Sequence, residues 1–236
     1  MIIGRRVTVL LNRFVDEALP PFVRESFLFS WAAKYIFKNA PYSIAEFKEQ
    51  AFEMSPAEFR RFYEETQLRV HQGDTDLSPD SANAVLNAIE TGPVLEVGCG
   101  RGWLAKQISD TFQTFATDIS LRGSYVSLTQ EGFAAVEADA ANIPFADNSF
   151  PTVVCTHVLE HVTDFQRSLS ELRRVCSERL IIVVPRQRAY AVTFSPHLHF
   201  FPYRWSLLAY TGAEHLVSLA LVGGDWLLIE DHSNKA

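Results

Sequence analysis

The pattern of apolar and polar positions changes character near residue 92. Before that point, apolar and aromatic residues recur three and four positions apart, which is the spacing of one face of a helix. Two such groups are Phe47, Ala51 and Phe52, and Phe59, Phe62 and Tyr63. The first 91 residues are therefore predicted to be mainly helical.

Helix-start signals support this prediction. Segments 43–46 (SIAE) and 55–58 (SPAE) fit the capping box, in which a serine and a glutamate three residues later satisfy backbone N–H groups reciprocally. Ser78-Pro79 predicts the start of another helix, which ends at the Thr91-Gly92-Pro93 segment. The polar segment 71–78 is predicted to be a loop.

After residue 92, short apolar runs alternate with helical patterns. The predicted strands are 94–97, 112–117, 133–137, 152–156 and 180–184, and the predicted helices are 103–109, 121–131 and 164–176. This alternation is typical of βαβ units and a parallel sheet. The run LIIVV at 180–184 is apolar throughout, which indicates a strand buried on both faces.

The C-terminal tail differs from this pattern. Apolar runs at 215–222 and 225–230 flank Gly223-Gly224, which is a hairpin signal. The tail should therefore add an antiparallel edge to the sheet. A further helix is predicted across 205–210.

Composition narrows the class of protein. The chain has 236 residues, of which 47% are hydrophobic and 21% charged, enough to bury a core. Its formal net charge is −7, which argues against a protein whose main task is to grip a phosphate backbone. We therefore expect no nucleic-acid partner.

The three cysteines, Cys99, Cys155 and Cys176, form no C-x-x-C pair, so we expect reduced, buried thiols. The apolar run near the N-terminus, VTVLL, is too short for a signal peptide, and no stretch approaches the roughly 20 apolar residues of a membrane span. The expected location is the cytoplasm.

The segment with the most chemical information is 96–102, EVGCGRG, which lies between a predicted strand and a predicted helix. Glycines allow a tight turn and a close approach of a ligand to the backbone. The spacing is G-x-G-x-G, and Trp103 stands where a dinucleotide fingerprint has its last glycine. No Gly-Lys-Ser/Thr follows, so a P-loop is excluded.

An acidic residue follows about twenty positions later. Asp118 ends the second predicted strand, where a carboxylate can accept hydrogen bonds from both hydroxyls of a ribose. An aspartate here can also cap the next helix. The two roles are compatible.

With these motifs in place, residues 92–185 resemble the class I S-adenosylmethionine-dependent methyltransferases that act on small molecules. Four segments in the family's order carry the resemblance: VLEVGCGRG, ATDIS, residues 137–145 and residues 149–162. It implies an α/β, Rossmann-like three-layer sandwich with a mainly parallel seven-stranded sheet and an antiparallel C-terminal hairpin. Residues 92–236 would form this domain, and residues 1–91 a helical extension.

The resemblance also implies cofactor-binding roles. The backbone of Gly98, Cys99, Gly100 and Gly102 would pass the methionine moiety of S-adenosylmethionine. Glu96 would lie near the ammonium group of that moiety.

On the nucleoside side, Asp118 would hold the ribose and Ile119 would pack on the adenine. Asp139 would bond the adenine amino group beside the backbone of Ala140, and His157 would face the cofactor. Pro151 stands where the family often has an aspartate, a departure that a strand's first residue tolerates.

Three histidines are candidates for acceptor binding or a general base, in the order His197, His199 and His161. In an extended segment His197 and His199 would point the same way. We expect no metal, because this pair has no obvious third ligand. A plain loop position is the alternative for each.

Residues 1–91 match no part of the family core. Their many aromatic side chains could form a helical core packed on the sheet, or a lid that closes the acceptor side with an apolar wall. The amphipathic stretch 22–37 could instead contact a membrane surface or a partner.

The predicted function is transfer of a methyl group from S-adenosylmethionine to an oxygen, nitrogen or carbon of a small-molecule acceptor with an apolar or aromatic part, leaving S-adenosylhomocysteine. The alternative is a catalytically silent S-adenosylmethionine-binding partner or regulatory subunit. A nicotinamide-dependent oxidoreductase is disfavoured by the glycine spacing and by the antiparallel tail. The sequence identifies neither the acceptor nor the oligomeric state.

Overall fold

The computed structural model describes residues 20–24, 26–36, 44–70, 75–121, 132–189 and 196–233. The predicted helix near 121–131 falls almost entirely outside these residues. Ser43, the first residue of one predicted capping box, also lies outside them.

Eight helices and seven strands are described within these ranges. The helices are α1 (Pro21–Arg24), α2 (Phe27–Ile36), α3 (Ile44–Gln50), α4 (Pro56–Val70), α5 (Pro79–Ala88), α6 (Trp103–Ser109), α7 (Phe165–Val175) and α8 (Arg204–Thr211). The strands are β1 (Val94–Val97), β2 (Thr114–Asp118), β3 (Ala134–Glu137), β4 (Phe150–Thr156), β5 (Cys176–Pro185), β6 (Leu216–Val222) and β7 (Asp225–Asp231).

The seven strands form one sheet in the order β3-β2-β1-β4-β5-β7-β6. The first five are parallel to one another, and β7 and β6 are antiparallel to their neighbours. This confirms the predicted mainly parallel, Rossmann-like sheet with an antiparallel C-terminal hairpin. The turn between β6 and β7 uses the predicted pair Gly223 and Gly224, both with positive φ.

Helices cover both faces of the sheet. On one face, Leu169 and Leu172 of α7 and Leu207 of α8 pack in a cluster with Leu180 and Ile182 of β5. On the other face, a second cluster contains Ile181 and Val183 of the same strand. Successive residues of β5 therefore enter opposite clusters, as the apolar run at 180–184 predicted.

The second cluster includes helix α5, which precedes the predicted boundary at residue 92. Val85 of α5 packs there with Val94 of β1 and Leu104 of α6. The Ser78 hydroxyl caps α5 by accepting a hydrogen bond from Ser81 N, and Pro79 follows it as predicted. Helix α5 is therefore packed directly on the sheet.

Pro151 lies at an irregularity in the pairing of β4 with β5. The register shifts between Phe150 and Thr152. Proline lacks a backbone donor, so a bulge is where it costs the sheet least.

Helices α3 and α4 form a small apolar cluster of their own. Phe47, Ala51 and Phe62 are buried in it, and Leu198 from the segment after β5 packs against them. The capping box predicted at the start of α4 is present, since Ser55 N donates to Glu58 Oε2 at 2.8 Å and Glu58 N donates to Ser55 Oγ at 3.4 Å. Through Leu198, α3 and α4 pack against the segment that follows β5.

The aromatic side chains described in α1 and α2 behave differently. Phe22, Phe27, Trp31 and Tyr35 are all exposed. Within the described residues, the predicted aromatic core of the N-terminal third is therefore limited to α3 and α4. No described helix combines the length and apolar character needed to cross a membrane.

An ion pair with a buried carboxylate joins α7, β7 and the end of α8. Arg173 of α7 donates from Nε to Glu230 Oε2 on β7 at 2.8 Å and from Nη2 to the carbonyl of Thr211 at the end of α8. Glu230 is buried, and His232 Nε2 lies 3.0 Å from its Oε2. Burial by itself would raise the pKa of Glu230, but the contacts with His232 and Arg173 outweigh it and lower that pKa.

We expect Arg173→Met to reduce the free energy of unfolding by about 3 kcal/mol at pH 7, because it leaves a buried carboxylate without its main partner. A group whose pKa is lowered by folding stabilises the fold above its unfolded pKa, about 4.3 for glutamate, and this contribution is lost as the pH falls through the folded pKa. The difference in the free energy of unfolding between the wild type and Arg173→Met should therefore become smaller below about pH 4. Urea unfolding at both pH values measures this.

Arg167→Met on the same helix is the matched control. Arg167 is exposed, and its guanidinium donates from Nε to the carbonyl of Ala141, so loss of this side chain should cost less than about 1 kcal/mol. Equal effects of the two substitutions at pH 7 would contradict the role given to the buried pair.

Candidate functional site

The glycine loop turns at the carboxyl end of β1. Gly98 N and Cys99 N both donate to the carbonyl of Thr117 on β2, at 2.7 and 2.9 Å. Gly98 has φ +78°, and a Cβ built on it would lie 2.0 Å from Val158 Cγ2. Gly100 has φ +52° but faces open space, with no heavy atom of the described chain within 4 Å of its virtual Cβ. Gly98 thus allows Val158 to pack closely, and Gly100 borders open space.

Asp118 connects this loop to the end of β2. Its Oδ2 accepts a hydrogen bond from Gly100 N at 2.8 Å, and its Oδ1 accepts one from Ser120 N at 3.1 Å. The carboxylate is buried. The structure therefore brings together the glycine loop and the acid that the sequence placed about twenty residues later.

Glu96, inside β1, is a buried acid with an unused oxygen. It is 2% exposed, and within the described chain its Oε2 has no hydrogen-bond partner. Burial and the nearby Asp118 carboxylate raise the pKa of Glu96 to about 8, against the opposing effect of a hydrogen bond from the backbone of Ala105. A cationic ligand group beside Glu96 would give this oxygen a partner.

The remaining residues of the predicted nucleoside side lie along the same edge. Ala138 N donates to the carbonyl of Asp118 at 2.8 Å, which holds the end of β3 beside the end of β2. Ile119 is half-buried directly after Asp118, and Ala140 is buried in the main cluster. Asp139 is exposed, and its Oδ1 accepts a hydrogen bond from Ala141 N at 2.9 Å.

His157 follows β4 and is held between two acids. Its Nδ1 lies 3.2 Å from Glu160 Oε1, and its Nε2 lies 3.6 Å from Asp225 Oδ2 on β7. Burial favours the neutral ring, but the carboxylates of Asp225 and Glu160 outweigh it and raise the pKa of His157 to about 10. His157 is therefore a cation at neutral pH and has no free base to offer.

His161 and His197 lie together. Their ring centroids are 4.6 Å apart, and the ring of Tyr63 from α4 lies 5.8 Å from His161. Nδ1 of His161 forms a hydrogen bond with the carbonyl of Pro196, and Nδ1 of His197 forms one with Gln187 Oε1. Burial is the main cause that lowers the pKa of both rings, so each is a neutral imidazole at pH 7.

His199 has other neighbours. Its Nε2 lies 2.8 Å from the carbonyl of Val162, and its ring packs against Phe165 and Tyr210. The structure therefore brings together two of the three histidines predicted for catalysis, His161 and His197, and not the third.

Two acidic residues in this region are not among the site residues predicted from the sequence. Glu160 is completely buried beside His157 and His161, and Asp225 meets His157 from the other side. The pair Glu160-His161 directly after the fourth strand was a usable signal. Nothing in the sequence pattern of the hairpin marked Asp225.

Helices α3 and α4 lie along this edge of the sheet. From α4, Arg60 Nη1 contacts Glu137 Oε2 at 3.2 Å, and Glu64 Oε1 accepts a hydrogen bond from Ser120 Oγ at 3.1 Å. From α3, Lys48 Nζ lies 4.4 Å from the ring centroid of Phe200. The carboxyl ends of the strands are thus bordered by the N-terminal third.

Comparison with known proteins agrees with this arrangement. Residues 95–184 match the family described as a methyltransferase domain. The 2-phytyl-1,4-naphtoquinone methyltransferase of Trichormus variabilis is 34% identical over 92 residues, which cover 34% of this chain and 40% of that protein. The chain therefore matches less than half the length of this relative.

Solved structures show the same fold. One is the Burkholderia thailandensis 1,6-didemethyltoxoflavin-N1-methyltransferase with bound 1,6-didemethyltoxoflavin and S-adenosylhomocysteine, with a TM-score of 0.59, 18% identity, and coverage of 75% of this chain and 90% of that one. Another is a SAM-dependent methyltransferase from Aquifex aeolicus, with a TM-score of 0.52, 16% identity, and coverage of 75% and 98%.

Proposed function

We propose that this chain, whose residues 95–184 are a methyltransferase domain on the class I S-adenosylmethionine-dependent methyltransferase fold, transfers a methyl group to a small-molecule acceptor. The observation that carries the proposal is the edge at β1 and β2. There a glycine loop bordering open space lies with the buried Asp118 and with the buried Glu96, whose Oε2 has no hydrogen-bond partner in the described chain. A ligand with a cationic group and a ribose fits all three.

The residues present fit S-adenosylmethionine. Glu96 Oε2 would accept from its ammonium group, and the loop at Gly98, Cys99, Gly100 and Gly102 would border the methionine moiety. When bound, this cofactor supplies the sulfonium methyl group together with its leaving group.

On the nucleoside side, each Asp118 oxygen accepts a backbone N–H, and this carboxylate would also accept hydrogen bonds from the ribose hydroxyls. Ile119 would pack on the adenine, and Asp139 and the Ala140 backbone would border its amino group. His157 would place its positive charge at the cofactor side of β4.

The protein's main contribution is then alignment of the two reactants and exclusion of water. Where the acceptor must lose a proton, we propose His197 Nε2 as the base, with His161 Nε2 as the alternative. Both rings are neutral imidazoles at pH 7, and because Nδ1 of each donates its hydrogen to an oxygen, Nε2 keeps the lone pair. His199 is the weakest candidate of the three because its ring packs against Phe165 and Tyr210, apart from the His161–His197 pair.

An acceptor with a planar, apolar part is supported by two observations. The aromatic side chains Phe62 and Tyr63 of α4 lie beside the His161 region. The curated relative described above is named for 2-phytyl-1,4-naphtoquinone, and the solved structure of similar fold is named for 1,6-didemethyltoxoflavin. The three cysteines are buried free thiols, which supports a reducing, cytoplasmic location.

We further propose that helices α3 and α4 of the N-terminal extension act as a lid that sets acceptor choice. Their contacts with Glu137, Ser120 and Phe200 place them at the edge where open α/β sheets bind ligands. A lid there would exclude water from the reacting groups.

The methyl-transfer proposal is tested by screening pooled metabolites with S-adenosylmethionine and detecting S-adenosylhomocysteine. Gly100→Val should lose both activity and cofactor binding, because its side chain fills the open space at the loop. Gly212→Val is the matched control, since Gly212 also has positive φ (+71°) and open surroundings but lies after α8. Cofactor binding by folded Gly100→Val, or equal loss in both variants, would contradict the assigned role of the loop.

A second prediction follows from the pKa of Glu96, about 8. At pH 7 the free protein holds a proton on Glu96, and an adjacent ammonium group would displace it. Binding of S-adenosylhomocysteine should therefore release up to about one more proton from the wild type than from Glu96→Gln, and the difference should vanish near pH 9.

Calorimetry in buffers of different ionisation enthalpy measures this proton release. The comparison with Glu96→Gln removes the contribution of the ligand's own amino group. Identical release by the two proteins at pH 7 would show that Glu96 does not meet the ligand cation.

The lid proposal predicts a selective effect of Tyr63→Ala. The KM for the acceptor found in the screen should rise about tenfold, equivalent to about 1.4 kcal/mol, while the Kd for S-adenosylhomocysteine stays within about twofold. Phe52→Ala is the control, because Phe52 is 60% exposed at the end of the same helical region. A Tyr63→Ala variant with unchanged KM would exclude a lid at this position.

A further inference from the structure

We propose that Glu160, His161 and His197 bind one divalent transition-metal cation of the Zn²⁺ type. A metal-ligating atom of each residue lies within 4.8 Å of those of the other two. From the sequence we expect no metal, because the pair His197 and His199 has no obvious third ligand. The fold supplies two further ligands by placing the turn after β4 against the segment after β5.

The spacing suits a site that closes on an ion. His161 Nε2 lies 3.9 Å from Glu160 Oε1. Two ligands bound at about 2.1 Å in tetrahedral geometry lie about 3.4 Å apart. Side-chain rotations that move these atoms by roughly 1 Å therefore complete the coordination.

Glu160 is the observation that points most directly to a cation. Its side chain is 0% exposed, and neither carboxylate oxygen has a hydrogen-bond partner in the described chain. Among the described residues, Glu160 forms ion pairs with His157 and His161, and His157 is shared with Asp225. The His157 cation lies 3.2 Å from Oε1 but forms no hydrogen bond with it, so the buried carboxylate keeps a desolvation cost that a bound metal ion would reduce.

Backbone hydrogen bonds connect Glu160 to the segment after β5. Its carbonyl accepts hydrogen bonds from Leu198 N at 2.7 Å and His199 N at 3.1 Å. These bonds tie the turn after β4 to the segment that carries His197. Glu160 and His161 are thereby held at a fixed position relative to His197.

The two imidazoles are oriented as metal ligands usually are. A ligating histidine commonly donates its other ring N–H to an oxygen, which fixes the tautomer and the ring plane. His161 Nδ1 contacts the Pro196 carbonyl, and His197 Nδ1 contacts Gln187 Oε1. Nε2 of each ring is left with the lone pair that binds a metal.

The donor set indicates the kind of ion. Two imidazole nitrogens and one carboxylate suit Zn²⁺ and neighbouring first-row divalent ions, whereas Mg²⁺ and Ca²⁺ prefer all-oxygen sites. Three protein ligands leave at least one coordination position open, as in catalytic zinc sites. The ring of Tyr63 lies beside His161. Its hydroxyl is buried and has no hydrogen-bond partner in the described residues.

Resting on the proposed methyl transfer, this site narrows the acceptor to one that presents a hydroxyl group. An oxygen in the open position would be polarised by the cation, so that its O–H bond breaks with the proton passing to water and the electron pair staying on oxygen. His161 and His197 would then act as ligands rather than as general bases.

The test uses the full chain after treatment with a chelator. Zn²⁺ is titrated by calorimetry, and Co²⁺ is titrated by visible absorption, which reports tetrahedral coordination directly. We expect one ion per chain. Glu160→Gln and His197→Ala should each weaken Zn²⁺ binding by roughly 100-fold or more. His199→Ala should bind Zn²⁺ as the wild type does, because His199 lies outside the cluster.

Absence of a Co²⁺ spectrum, or wild-type Zn²⁺ affinity in Glu160→Gln, would overturn the proposal. Circular dichroism checks each variant, and the near-isosteric Glu160→Gln decides the outcome where His197→Ala does not fold. S-adenosylhomocysteine binding is measured on the same metal-free protein. Cofactor binding without metal binding refutes only the metal site, whereas metal binding without cofactor binding refutes only the proposed methyl transfer.

Discussion

The parallel pairing of β1 between β2 and β4 is the constraint on which the candidate site depends. Val97 of β1 pairs with Thr117 of β2 and with Cys155 of β4, so the three strands end at nearly the same level. The chain leaves them as the glycine loop, as Asp118 and as the turn at His157. Each exit occupies the same edge because buried strands in register end together, and the Asp118 bond to Gly100 N then joins two of the exits.

The buried acids divide into two kinds. Glu230, beside α7 and α8, is satisfied by Arg173 and His232 and holds the fold together. Glu96 and Glu160 are equally buried, yet each has at least one carboxylate oxygen without a partner in the described chain. Buried carboxylate oxygens without hydrogen bonds lower stability, and both of these acids lie near the carboxyl ends of the strands, at the candidate site.

The predicted secondary structure was accurate where the signal was local. The capping boxes, the glycine loop and the Gly223-Gly224 hairpin each depend on residues within a few positions of one another, and the described ones formed as expected. The histidines were harder. His197 and His199 are two residues apart, but the segment is not a strand, and their rings meet different neighbours.

The sequence by itself determined the alternation of strands and helices, the position of the glycine loop and the acid that serves it, because these rest on short-range pattern and turn chemistry. Only the tertiary structure decided that Asp225 flanks His157, that α4 brings Tyr63 to His161, and that Glu160 and His161 meet His197. These contacts join segments distant along the chain, and their geometry is set by strand order and by packing across the sheet edge. No local pattern of residues encodes which side chains that packing brings within a few ångströms.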